Sequence, residues 1–454
     1  MKRSTLFLVA SLWLGRLLSP AVQAEQIDLD ISLTYPTMKA DEKTTNYLKV
    51  KLTAFDLPKD GTRVPVNVAI VLDRSGSMSG EKLEQAKAAA LTAVDRLQDN
   101  DIVSVLTYDE SIHVLIPATR ATDRESIQQA IRSIQVGGST ALFGGVSKGA
   151  AEVRKFMDDQ HVNRVVLLSD GMANVGPSSP MELQQLGESL LKEGISVSTL
   201  GLGAGYNEDL MRSLAAASSG NHVFIENADN LVAVFNNEFD DILSVVATDV
   251  HLKIDLDPSV RPVRVLNTEA DIEGQEVMLS LTQLYARQER YYIVEVEVDA
   301  GKNETERPLA KVDLQYRNMQ TETKDDLSSS VAVRFSNEVE SIEADTNLEA
   351  LAFCTVQLAA IRNREATALR DAGKIEEARK LLNFNCSVLG EVQTRCEKNG
   401  IRIADLDYGN RLNIMQAEEI GDNSKWNFNR KLMRDYQQST SEQQTYDNRG
   451  KTGR

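Results

Sequence analysis

Three cysteines and four histidines in 454 residues leave little material for sulfur or imidazole chemistry. That scarcity excludes a disulfide-stapled mini-fold and argues against a Cys/His zinc site. Positive charge is also in short supply: 50 Lys and Arg stand against 67 Asp and Glu, a formal net charge of −17. Such a surface repels phosphate backbones, which speaks against a nucleic-acid partner. It favours cationic partners or metal ions held by carboxylates. Beyond the first 24 residues no apolar run is long enough to cross a bilayer. What is present is an ordinary globular balance, 42% apolar and 26% charged, with ample material for buried cores. The length corresponds to roughly three domains of about 150 residues.

The N-terminus has its own pattern. Lys2 and Arg3 give a basic start, residues 6–15 form an apolar run, and Val22, Gln23 and Ala24 offer the small residues that a signal peptidase reads. A signal peptide over residues 1–24, cut after Ala24, is predicted. Arg16 interrupts the apolar run and leaves it short for an anchor helix. No cysteine follows the cut, so no lipid is attached there. The mature chain is expected to be soluble and exported, periplasmic or secreted.

Residues 27–33 and 47–54 alternate apolar and polar, the pattern of half-buried strands. Two strands make no stable sheet by themselves. From residue 64 short continuous apolar strands alternate with helical stretches: 64–72, 101–108, 113–118, 164–170, 196–202 and 222–226 read as strands. Fully apolar strands separated by helices predict a parallel sheet covered on both faces, an α/β doubly wound, Rossmann-like domain. Alternating strands return at 251–257, 276–281, 291–298, 311–316 and 331–335. With the first two they make a sandwich-sized set. Domain termini often lie close together, so one domain can be inserted in another. The predicted architecture is an α/β domain over 63–246 inserted in a β-sandwich, whose strands come from 25–62 and 247–338. A C-terminal helical hairpin is predicted within 339–418, with helices at 347–371 and 374–398 that turn near Gly373. Residues 419–454, rich in Asn, Gln, Ser and charge, are predicted to be disordered.

Asp73, Ser75 and Ser77 form an Asp-x-Ser-x-Ser run directly after the first buried strand. That is the carboxyl end of a parallel strand, where open α/β sheets bind ligands. Two more segments end at the same edge. One is 137–140, Gly-Gly-Ser-Thr, closing on Thr140. The other is 167–171, Leu-Leu-Ser-Asp-Gly, containing Asp170. All three supply hard oxygen donors, a set that suits Mg²⁺, or Mn²⁺ or Ca²⁺, rather than zinc.

In order and content the chain resembles the von Willebrand factor type A domain with a complete metal-ion-dependent adhesion site, in an exported bacterial setting. The resemblance spans about 180 residues and includes Gly201-Leu202-Gly203 after the fifth strand. It implies metal ligation by Asp73, Ser75, Ser77, Thr140 and Asp170. It also implies a protein partner that offers an Asp or Glu to the ion, and a binding module rather than an enzyme. Two carboxylates leave a dication site close to neutral, and hydroxyls add donors without charge. An outside carboxylate can then take an open position.

Other chemistries fit less well. A phosphoryl-transfer enzyme of the haloacid-dehalogenase type needs a second Asp where Ser75 stands. A dinucleotide fingerprint starting at Gly201 would need glycine at Tyr206. A serine hydrolase would need Gly-x-Ser-x-Gly, and Met78 occupies the centre of 76–80. A metal-dependent hydrolase or phosphotransferase, or a scaffold with a purely structural metal, remain the alternatives. His113, His161, His222 and His251 are scattered without paired spacing and read as strand or surface residues. Cys354, Cys386 and Cys396 all fall in the helical region. In an oxidising compartment a bridge from Cys354 to either Cys386 or Cys396 is open, as is a free thiol.

Overall fold

The computed structural model describes residues 27–57, 63–158 and 160–443. The predicted signal segment and the predicted cut after Ala24 lie outside the described residues. The chain opens with β1 (Asp28–Leu33), β2 (Thr37–Lys39) and β3 (Thr44–Thr53). It then enters a six-stranded α/β unit: β4 (Val66–Asp73), α1 (Glu81–Asp95), β5 (Ile102–Tyr108), β6 (Ile112–Arg120), α2 (Arg124–Arg132), α3 (Leu142–Val153), β7 (Val162–Ser169), α4 (Pro180–Lys192), β8 (Ser196–Leu202), α5 (Glu208–Ala217), β9 (His222–Ile225) and α6 (Leu231–Ile242). The strands lie in the order β6-β5-β4-β7-β8-β9. All neighbours are parallel except β5 and β6, an antiparallel pair. The sheet is parallel as predicted apart from its edge strand β6, which runs antiparallel to β5. Only three residues separate β5 from β6, far too few for a parallel crossover.

The core follows from the period of two. Val66, Val68, Ile70 and Leu72 of β4 face one helical layer, where they meet Ala86, Ala90, Phe235 and Phe239. Ala69 and Val71 face the other, with Val146, Leu183 and Leu214. Each large aliphatic side chain buried in this way contributes roughly 1.5–3 kcal/mol.

β10 (Val245–Leu256), β11 (Val260–Val265), β12 (Asp271–Glu273), β13 (Glu276–Tyr285), β14 (Glu289–Val298), β15 (Thr305–Asn318) and β16 (Thr323–Ser336) follow the inserted unit. Two sheets result, β1-β3-β14-β11 and β12-β13-β10-β15-β16-β2. Leu48, Val50 and Leu52 of β3 and Val294 and Val296 of β14 share one apolar cluster with Leu252, Ile254, Val312, Leu314 and Val333 of the other sheet. The β3–β14 pairing, with Leu48 opposite Val294, joins the segments on either side of the inserted unit. The sandwich has ten strands where seven were predicted. The short β2 and β12, among others, carry too few residues for an alternating pattern to register.

The C-terminal region consists of α7 (Val339–Ala344), α8 (Leu348–Asp371), α9 (Ile375–Lys398), α10 (Ala404–Glu419) and α11 (Trp426–Glu442). α8 and α9 form the predicted hairpin about Gly373, whose φ of 80° suits a residue without Cβ. Disorder from 419 onward is overturned for 426–442: they form α11, which is held by polar contacts that apolar periodicity does not report. All three cysteines are free thiols, so no bridge joins α8 to α9. No helix among the described residues is long and apolar enough to cross a membrane.

Candidate metal site at the carboxyl edge of the central sheet

β4 and β7 are neighbours, and their following helices leave toward opposite sides of the sheet. Open α/β sheets bind ligands in the crevice at such a switch point. Asp73 ends β4 and Asp170 directly follows β7, so the topology sets both carboxylates at that crevice. Asp73 is fully buried. Its Oδ1 accepts from Ser75 N–H at 2.8 Å and its Oδ2 from Ser169 Oγ at 2.7 Å. Burial pushes the Asp73 carboxyl above the usual carboxylate range, and the nearby Asp170 charge adds to this. The hydrogen bonds from Ser75 and Ser169 oppose it.

The hydroxyls bridge the two acids. Ser75 Oγ and Ser77 Oγ are 3.1 Å apart, and Ser77 Oγ donates to Asp170 Oδ1 at 2.6 Å. Lys82, on the first turn of α1, pairs with Asp170 Oδ2. Thr140 completes the group. A Cβ on Gly171 would lie 3.2 Å from Thr140 Oγ1 and 3.5 Å from Ser77 Oγ, so both hydroxyls face the same small space. Thr140 is held by Asn174, whose Oδ1 accepts from Thr140 N–H at 2.8 Å while its own N–H donates to Thr140 O at 3.1 Å.

Neighbouring loops are tied together. Gly137 N–H donates to Arg74 O at 2.6 Å and Gly76 N–H to Gly138 O at 2.8 Å. Arg74 pairs with Asp109 at 2.5 Å. Burial opposes the charge on Asp109, but the Ser111 N–H and the Arg74 guanidinium outweigh it and hold the carboxyl below its ordinary value.

The structure thus brings Asp73, Ser75, Ser77, Thr140 and Asp170 together from three loops. It adds Ser169, Asn174 and Asp109 as supports and Lys82 as a cation on Asp170. Ser169 stood in the quoted Leu-Leu-Ser-Asp-Gly segment without a role, whereas Lys82 and Asn174 carry no sequence signal of their own. Among the described residues no group of three or more His, Cys, Asp or Glu gathers in metal-binding proximity. Two carboxylates and three hydroxyls are nonetheless a hard-oxygen set that fits a small divalent cation. The fit is supported by two observations: Asp73 is a buried acid with no ion pair among the described residues, and Asp170 draws a lysine ammonium. The histidines stay apart from the site. His222 is buried between Thr199 and Tyr206, and desolvation lowers its pKa to about 3.

Residues 67–237 match the family model of the von Willebrand factor type A domain. The uncharacterized protein sll0103 of Synechocystis sp. is 30% identical over 285 residues, covering 60% of this chain and 67% of that protein. The chain belongs to the von Willebrand factor type A domain family. Members of this family typically mediate protein–protein interaction and adhesion. Inter-alpha-trypsin inhibitor heavy chain H3 of Homo sapiens is 26% identical over 199 residues, 42% of this chain but only 22% of the human protein. The solved structure of a von Willebrand factor type A protein from Catenulispora acidiphila superposes with a TM-score of 0.67. It is 18% identical and covers 81% of this chain and 87% of that one. That likeness concerns the fold, and it extends beyond the A domain to the antiparallel sheets and the helical region.

Proposed function

We propose that this chain is an exported, Mg²⁺-dependent protein-binding module for adhesion or assembly, without catalytic activity of its own. The observation that carries the reading is the convergence of Asp73, Ser75, Ser77, Thr140 and Asp170 on one crevice at the sheet edge opposite the sandwich. A bound Mg²⁺ supplies a coordination position for an oxygen from outside, and the natural occupant is an Asp or Glu of a protein partner. Asp73 and Asp170 balance the charge of a dication. Ser75, Ser77 and Thr140 offer neutral donors, so an incoming carboxylate is not repelled by excess negative charge. Asn174, Ser169 and the Arg74–Asp109 pair hold the donors in place. The net charge of −17 makes a charge-neutralising ion at the docking point all the more useful for an acidic partner. Export rests on the pattern of residues 1–24.

Calorimetric titration of Mg²⁺ into the full chain tests the reading. Saturable binding in the wild type and none in Asp73→Ala supports it. Hydrolysis of phosphate or acyl esters that depends on Asp73 would replace it with an enzymatic one.

A further inference from the structure

Helix α11 lies against the A domain beside residues 203–207, the loop between β8 and α5. Lys431 is buried there. Its ammonium donates to Tyr206 O at 2.7 Å, meets Glu208 Oε2 at 2.5 Å and stands 4.4 Å from the centre of the Tyr206 ring. An ammonium is tolerated in the interior only with such partners. Arg430 reaches Glu208, Asp209 at 2.5 Å and Asp371 at 3.0 Å, which links the same point to α8. Arg434 Nε reaches Asp209 Oδ1 at 3.1 Å, and Phe428 meets Phe224 edge-on at 6.1 Å. One stretch of α11 therefore grips the loop and the first turn of α5 by backbone, ring and carboxylates together.

The gripped loop reaches the candidate metal residues by two routes. The Tyr206 ring packs on Gly201 so closely that a Cβ there would come within 2.2 Å of it. Gly201 is in register with Ser169, whose hydroxyl bonds Asp73. Gly205 runs close to the backbone of Asp170: a Cβ added there would lie 3.0 Å from the Asp170 carbonyl oxygen.

We propose that Lys431 is a positioning residue for the candidate metal site. By pinning Tyr206 and Glu208 it sets where the 203–207 loop rests against Ser169 and Asp170, so that docking of α11 is coupled to the affinity of the site for Mg²⁺. The affinity half rests on the metal reading above; the mechanical half does not.

The test uses the full chain with Lys431→Met, which keeps an apolar stem and removes the ammonium. Hydrogen exchange without Mg²⁺ is expected to speed up in both 203–208 and 169–174. The Mg²⁺ dissociation constant is expected to rise about tenfold, as when groups that orient metal ligands are lost. Lys431→Arg retains most of both properties. Asn385→Ala loosens the helical region through its bonds to Ala359 O and Asn413 without touching α11 or the loop. It is expected to lower stability and leave both readouts unchanged. If Lys431→Met does not fold, Arg430→Gln takes its place with the same expected directions. Unchanged exchange at 169–174 together with unchanged Mg²⁺ affinity in a folded variant overturns the proposal, and so does an equal effect in Asn385→Ala. A wild-type chain without Mg²⁺ affinity overturns the metal reading and the affinity half together, whereas the exchange result judges the grip of α11 by itself.

Discussion

The two edges of the central sheet both bury a carboxylate, and they treat it in opposite ways. At the amino edge Glu238 of α6 meets Arg164 of β7 at 2.8 Å, with both side chains fully buried. Arg164 also bonds Ser198 Oγ at 2.8 Å and Tyr285 OH at 2.9 Å, the latter from the sandwich. This acid has a permanent cation of its own, and the pair fastens the A domain to its frame. At the carboxyl edge Asp73 is just as buried, but it receives only neutral donors and has no ion pair among the described residues. An acid whose cation is buried with it is structural, whereas an acid left with neutral donors, or with a partly exposed lysine as Asp170 is, can accept an exchangeable one. Position in the sheet alone does not make a carboxylate functional.

The largest effect is expected from breaking the first arrangement. Arg164→Met strands Glu238 in the interior and should cost about 3–5 kcal/mol in denaturant unfolding. Adding Glu238→Gln should recover a good part of the loss, since it is the unpaired charge that is costly. Failure of the double variant to recover would mean that packing, not charge, governs this edge.

The same edge carries a pH dependence. Burial, with the Glu238 charge beside it and Arg164 opposing, raises the Asp241 carboxyl to about 7. Asp240 adds to the shift, and Asn221 hydrogen-bonds the carboxyl. A carboxyl raised on folding stabilises the native state while it is protonated. That contribution is complete below the ordinary carboxylate range, about pH 4, and is lost as the pH rises through about 7. Unfolding free energy should therefore fall between these limits, and Asp241→Asn should flatten that part of the profile.

At the carboxyl edge the effects on stability shrink while those on binding grow. Asp73→Ala removes two hydrogen bonds but also a poorly solvated charge, so stability should change by only about 1 kcal/mol. Mg²⁺ binding should vanish in the same sample. A destabilisation as large as that of Arg164→Met would show that Asp73 is a structural acid after all. The smallest effect is expected from Lys82→Met. Lys82 is the chain's own cation on Asp170, so its removal should tighten Mg²⁺ binding a few-fold in calorimetry, and weaker binding would show that it supports the site instead.

Much of this comparison was readable from residue order. Apolar strands alternating with helices disclose the layered sheet, and Asp-x-Ser-x-Ser at a strand end discloses the crevice, because both depend on local pattern. The contents of α11 were not readable. Its sequence is rich in Asn, Gln, Arg and Lys, yet Lys431 and Gln437 are buried by partners far away in the chain. Period and composition report apolar burial and are blind to burial by hydrogen bonds. The same blindness hid Arg164, a charged residue inside a strand whose acid lies 74 positions later. Lys82 and Asn174 belong to the site through space alone.

The β3–β14 pairing also has a consequence for the order of events during synthesis. β1 and β3 leave the ribosome first, but as a two-stranded ribbon they are marginal. The strand that covers the other side of β3 emerges only after the whole A domain has been made. The A domain's strands pair among themselves and can settle as a unit in the meantime. The frame is therefore the last part to close, and until it does the nascent chain displays a long open strand edge of the kind that invites pairing with other chains. That interval is when a chaperone has most to offer.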